Sequence, residues 1–198
     1  MNLRALEAVV AVAIIACVLA WSPLPASATS CGIWRWDVKT RSDPDRKDVV
    51  LTPQSTTVTA LRKKDAPSGL STDTPRLSGI EKQVYRVRAQ VITATIEDDS
   101  DVHLVIALPG ARAKTMIVEF PHPRCVDKPF RRPQIRRARR QFFDACGSIS
   151  SSSFTDLRGT VTLTGVGFWD EDHGQKGVAP NAVELHPVLS FAGSCSRR

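Results

Sequence analysis

Residues 83–120 read QVYRVRAQVITATIEDDSDVHLVIALPGARAKTMIVEF. Apolar, largely β-branched runs are separated there by two turn signals, Asp98-Asp99-Ser100-Asp101 and Pro109-Gly110, and polar and apolar positions nearly alternate. That pattern predicts three half-buried strands joined as a meander. Folding the second hairpin about Ala111 sets Val102 opposite Phe120, Leu104 opposite Val118 and Ile106 opposite Met116, all on one face. His103 then stands opposite Glu119 on the other face, beside Val105 and Ile117. A slip of one residue would mix the two faces, so alternation alone specifies the register.

Downstream, Pro121 and Pro123 end the pairing, because proline has no N–H to give a ladder. Arg131–Cys146 is predicted helical, with Pro133 in its first turn. Ile135, Ala138, Phe142 and Ala145 form a buried stripe, Gly147 is the stop, and the arginines point mainly outward. Ser148–Ser153 reads as a flexible loop. A fourth strand follows over Arg158–Trp169, with Gly165 and Gly167 suggesting a bulge. The polar loop Asp170–Pro180 leads to a last strand, Asn181–Phe191, placing Glu184 and His186 on one face and Val183 and Leu185 on the other. Pro187 should interrupt or bulge that strand's pairing. Upstream, residues 29–78 read as an arm carrying Trp34 and Trp36, with linker chemistry over 65–79. The tryptophans would pack the arm onto the domain or offer a stacking platform.

Composition narrows the class. A chain of 198 residues with 42% hydrophobic content supports one packed domain plus extensions. Arg4, the apolar run Ala8–Ala20 and Ala26-Ser27-Ala28 make residues 1–28 a secretory signal peptide, with lipoprotein processing at Cys17 as the alternative. No membrane-spanning stretch follows it. Removal would leave Cys31, Cys125, Cys146 and Cys195, and so two disulfides of about 2–4 kcal/mol each. The favoured pairing is Cys125–Cys146 and Cys31–Cys195. No C-x-x-C spacing suggests catalytic or metal-binding thiols.

Three meandering strands, a helix and two more strands, the fourth glycine-bearing, resemble the OB-fold family. The resemblance covers residues 79–192, leaves 193–198 as a C-terminal tail, and implies a five-stranded Greek-key barrel with its helix between strands three and four. The phrase GVGFWDEDHGQKGVAPNAVELHPV is also similar to a broad group of exported bacterial proteins, from which no activity transfers. Asp99-Ser100-Asp101 resembles the Asp-Gly-Asp-Thr hairpin of thermonuclease-type OB enzymes. Here Ser replaces Gly and Val102 replaces Thr, and no Arg-rich segment with Asp-Thr-Pro-Glu follows strand three.

The OB resemblance implies a binding surface on strands two and three and the flanking loops. It would gather His103, Glu119, Glu184 and His186 with Asp98, Asp99, Asp101, Asp170, Glu171, Asp172 and His173, leaving His122 aside. Such a gathering can be structural, or a divalent-metal site on Asp101, His103 and Glu119, or a ligand surface rimmed by Trp169 and His173. Arg136, Arg137 and Arg140 offer a polyanion surface, a contact with an anionic cell envelope, or simply a solvated helix face. The expectation is therefore an exported binding protein for an oligosaccharide, oligonucleotide or protein. Metal-dependent phosphodiester hydrolysis and a structural envelope role are the alternatives.

Overall fold

A computed structural model describes residues 30–126 and 132–198. The expected signal segment (with Cys17) and Arg131 lie outside the described residues. The chain is mainly β: β1 (Val50–Thr56), β2 (Gln83–Ile96), β3 (Val102–Leu108), β4 (Ala111–Phe120), β5 (Thr155–Arg158), β6 (Thr160–Trp169), β7 (Val183–Gly193) and β8 (Ser196–Arg197). The α-helices are α1 (Trp36–Thr40), α2 (Val58–Leu61) and α3 (Arg132–Cys146).

The strands form one mixed eight-stranded sheet. Antiparallel β3 lies between β2 and β4; β4 pairs parallel with β7, β7 antiparallel with β6, and β6 antiparallel with β2, so the order of pairing returns to its start. The β3–β4 register is the one that alternation predicts, His103 opposite Glu119 included. Val102, Leu104, Ile106, Met116, Val118 and Phe120 are all fully buried in one core. Helix α3 adds Ala138 and Phe142 to that core, the Phe142 ring centring 5.1 Å from Phe120 and 5.6 Å from Phe191. Gly147 ends the helix at φ 76°, its N–H donating to the Phe143 carbonyl at 2.9 Å, a turn that costs glycine little. The pairing of β6 with β7 slips between Gly165 and Gly167, opposite Pro187.

Several expectations are corrected. The disulfides are Cys31–Cys125 and Cys146–Cys195. Helix α3, rising about 1.5 Å per residue, carries Cys146 some 22 Å along its axis, far beyond the ~7 Å that a disulfide between Cα atoms tolerates. There Cys146 meets the C-terminal segment, which is no loose tail, because β8 pairs with β5. The arm is likewise part of the fold: β1 pairs parallel with β2. Within the expected linker, Arg76 is buried and forked onto Asp43 at 2.6 and 3.0 Å. The loop at 148–153 is docked, with the Ser150 carbonyl accepting from the Ile96 N–H. The expected fourth strand divides at Gly159 into β5 and β6. Arg139 turns inward and donates to the Phe120 carbonyl at 2.6 Å, while Arg136, Arg137 and Arg140 are exposed as the helical stripe predicts. The largest correction concerns the polar face of β3 and β4, which is not half-exposed. His103 is 1% and Glu119 3% accessible, because the arm roofs that face.

Candidate functional site

The polar residues meet because of strand order. β4 and β7 run parallel with Ile117 opposite Glu184 and Val118 opposite Leu185. The alternation that buries Val183 and Leu185 in the core therefore turns Glu184 and His186 to the face that carries Glu119. Helix α1 closes over them and adds Lys39.

Glu119 is the centre. Its Oε1 lies 3.4 Å from His103 Nδ1 and its Oε2 lies 3.0 Å from His186 Nδ1. Beyond His186, Nε2 stands 3.3 Å from Asp101 Oδ2, and Asp101 Oδ1 accepts from the His122 N–H at 2.9 Å. Beyond His103, Nε2 hydrogen-bonds the Lys176 carbonyl at 2.9 Å, so this nitrogen is the N–H donor. That leaves Nδ1 facing Glu119 and also Glu97, whose Oε1 is 2.9 Å away. Neither oxygen lies where a hydrogen bond to Nδ1 requires it, so Nδ1 is a buried nitrogen with no hydrogen-bond partner among the described residues. Lys39 Nζ sits 3.3 Å from Asp170 Oδ2 and 3.9 Å from Glu119 Oε2. Glu184 is fully enclosed, and neither of its carboxyl oxygens has a hydrogen-bond partner among the described residues.

The electrostatics follow from this crowding. Burial opposes charge on Glu119, but Lys39, His103 and His186 outweigh it and hold the carboxyl well below its ordinary range. Burial, then Asp170 and Glu119, push the Glu184 carboxyl well above its ordinary range. Burial works against His103 and His186 as cations, yet Glu119 and Glu97 raise the first to about 10, while Asp101 and Glu119 raise the second to about 9. Burial lifts Asp101 to about 6 against the pull of His186. Lys39 is raised too, its desolvation exceeded by Glu119, Asp170 and Glu184.

A pocket of about 250 Å³ opens above Glu119. Its walls include Glu97, Asp99, Glu119, Asp170, Glu171 and Lys39, with Trp34, Trp36 and His173. The residues expected to gather therefore divide. His103, Glu119, Glu184 and His186 converge; Asp99, Asp170, Glu171 and His173 line the opening; Asp98 is exposed and lines an adjoining groove that shares Glu97, Asp99 and His173 with it. Trp169 does not line this opening; its ring lies in the core, while its carbonyl accepts from Arg35 and its N–H donates to Glu81. Asp101 is fully buried against His186, and Glu97 stands beside His103 in its place.

Sequence reasoning passed over Glu97 and Lys39. Glu97 could have been found: with Thr95 opposite His103, it lies two residues further along the same face, diagonal to that imidazole. Lys39 gives no such signal, since a lysine in a polar arm reads as solvated. Trp36 ties the arm to the domain, its Nε1 donating to the Cys125 carbonyl at 2.8 Å, and it also lines the pocket. No protein-family profile matches the chain, and no curated protein or solved structure matches it either.

Proposed function

We propose that the protein is an exported binding protein of OB type that receives a positively charged group in the pocket beneath its arm. The OB reading draws support from the cyclic pairing of β2, β3, β4, β7 and β6, from the parallel β4–β7 contact, and from α3 lying between the third and fourth of these strands. Export draws support from residues 1–28 and from two disulfides, which persist in oxidising compartments.

The observation that carries the ligand class is the wall chemistry: Glu97, Asp99, Glu119, Asp170 and Glu171 line the pocket with one lysine and two tryptophans. A recess lined by one sign of charge concentrates the opposite sign, and indole faces attract cations. An oligonucleotide would meet this field with the wrong sign. Phosphodiester hydrolysis draws less support, because Asp101 is turned inward onto His186 and no arginine is among the described residues lining the pocket. A structural envelope role draws less support as well, since Trp36 is engaged with the body of the fold. Among the described residues Arg136, Arg137 and Arg140 have no acidic partner at ion-pair distance, and they remain the surface on which a polyanion or the cell envelope would act.

Calorimetric titration with divalent cations, spermidine, single-stranded DNA and a neutral oligosaccharide tests this reading. Cations should bind, and Asp170→Asn should weaken them. Binding of DNA or sugar that ignores Asp170→Asn, with no cation bound, would reverse the assignment.

A further inference from the structure

We infer that Glu97, His103 and Glu119 form a binding site for one divalent transition-metal ion, an inference that rests on the cationic reading of the pocket and names its ligand. The three donor atoms lie within 4.8 Å of one another, with separations of 2.9 Å (Glu97 to His103) and 3.4 Å (His103 to Glu119). Bonds of about 2.0–2.2 Å to a tetrahedral ion place its ligand atoms roughly 3.3 Å apart, so the cluster needs little rearrangement to close on one. The site is more than a group of acids. His103 is 1% accessible, and its Nδ1, within 3.4 Å of both carboxylates, makes no hydrogen bond among the described residues.

Its supporting contacts are those that metal-ligating residues use. The Nε2–H of His103 is anchored on the Lys176 carbonyl, which fixes the ring and points Nδ1 at the ion. Glu119 offers Oε1 to the ion while His186 Nδ1 stands 3.0 Å from Oε2 as an ion-pair neighbour, and Asp101 lies 3.3 Å from the other nitrogen of that ring. Asp101, Glu119 and His186 also lie close enough to hold a cation. There, however, the two carboxylates flank opposite nitrogens of one imidazole, so that trio orients Glu119 and Asp101 is a positioning residue. On binding, the ion takes the place of the Nδ1 proton of His103, which leaves to solvent. One nitrogen and carboxylate oxygens suit zinc or manganese, and three protein ligands leave a further position open towards the pocket.

The test is titration of the chelator-treated full chain with Co²⁺, read by visible absorbance, followed by displacement with Zn²⁺. One Co²⁺ per chain is expected. Glu97 is partly exposed, so Glu97→Gln should fold, and it should weaken binding by at least roughly 100-fold. Asp101→Asn should weaken it by about 10–100-fold at unchanged stoichiometry. Glu171→Gln, which removes one wall charge but no ligand atom, should weaken it by no more than about 5-fold. Unaltered binding in Glu97→Gln, or equal losses in Glu97→Gln and Glu171→Gln, would overturn the site. No metal uptake alongside retained spermidine binding would overturn the metal and leave the cationic pocket standing. Neither ligand bound would overturn both.

Discussion

Two assemblies of buried charge lie side by side in this protein and are built differently. In the arm, Arg35 forks onto Glu81 with both contacts at 2.7 Å, and its remaining N–H groups reach the Thr74, Pro75 and Trp169 carbonyls. Glu81 also accepts from the Leu77 and Trp169 N–H groups, and Arg76 forks onto Asp43 while reaching the Val38 and Glu81 carbonyls. Both guanidinium–carboxylate pairs there are held by further hydrogen bonds to the backbone. Around Glu119, by contrast, Glu184 has no hydrogen bond at either oxygen, and the nitrogens of His186 and Nδ1 of His103 make contacts without hydrogen-bond geometry. Desolvated polar groups with spare valence are costly, and a fold retains them where something else is meant to complete them. The arm's pairs hold structure; the cluster holds capacity.

Urea unfolding can break or sharpen that contrast. Glu81→Ala strands the Arg35 guanidinium and should cost about 3–5 kcal/mol, the largest effect expected; a loss under about 1 kcal/mol would show that the clamp is not structural. Replacing Cys146 and Cys195 by Ser opens a link across 49 residues and should cost about 2–4 kcal/mol. In the cluster the sign should invert: Glu184→Leu removes an unpartnered buried carboxyl and should raise stability by about 1–2 kcal/mol. Destabilisation by that change would mean that Glu184 has a structural partner after all. Smallest of all, Arg136→Ala, Arg137→Ala and Arg140→Ala should each shift stability by no more than about 0.5 kcal/mol, as for exposed positions without ion pairs.

What could be read from the chain tracks how local the determinant is. The His103–Glu119 pairing follows from alternation within one hairpin, and the convergence of Glu184 and His186 follows from parity along one strand combined with an inferred strand order. The stripe Ile135, Ala138, Phe142 needs only helical spacing. The roof was not legible. Arg35 and Arg76 are buried because carboxylates 46 and 33 residues away receive them, and nothing in their own neighbourhood announces it. The disulfide pairing failed for the same reason, since it depends on where α3 delivers Cys146. A sheet face read without its cover looked wet; the cover turned it into an enclosed site.

The bond between Cys31 and Cys125 bears on how that cover is made. Cys31 directly precedes Gly32, Ile33 and Trp34 of the pocket wall, and Cys125 lies five residues beyond Phe120, which ends the strand bearing Glu119. The bridge therefore staples the front of the vestibule to its floor across 94 residues of chain. The floor is assembled by strand pairing, whereas its front edge is also tied covalently, a cross-link that limits how far that edge can lift away from Glu119.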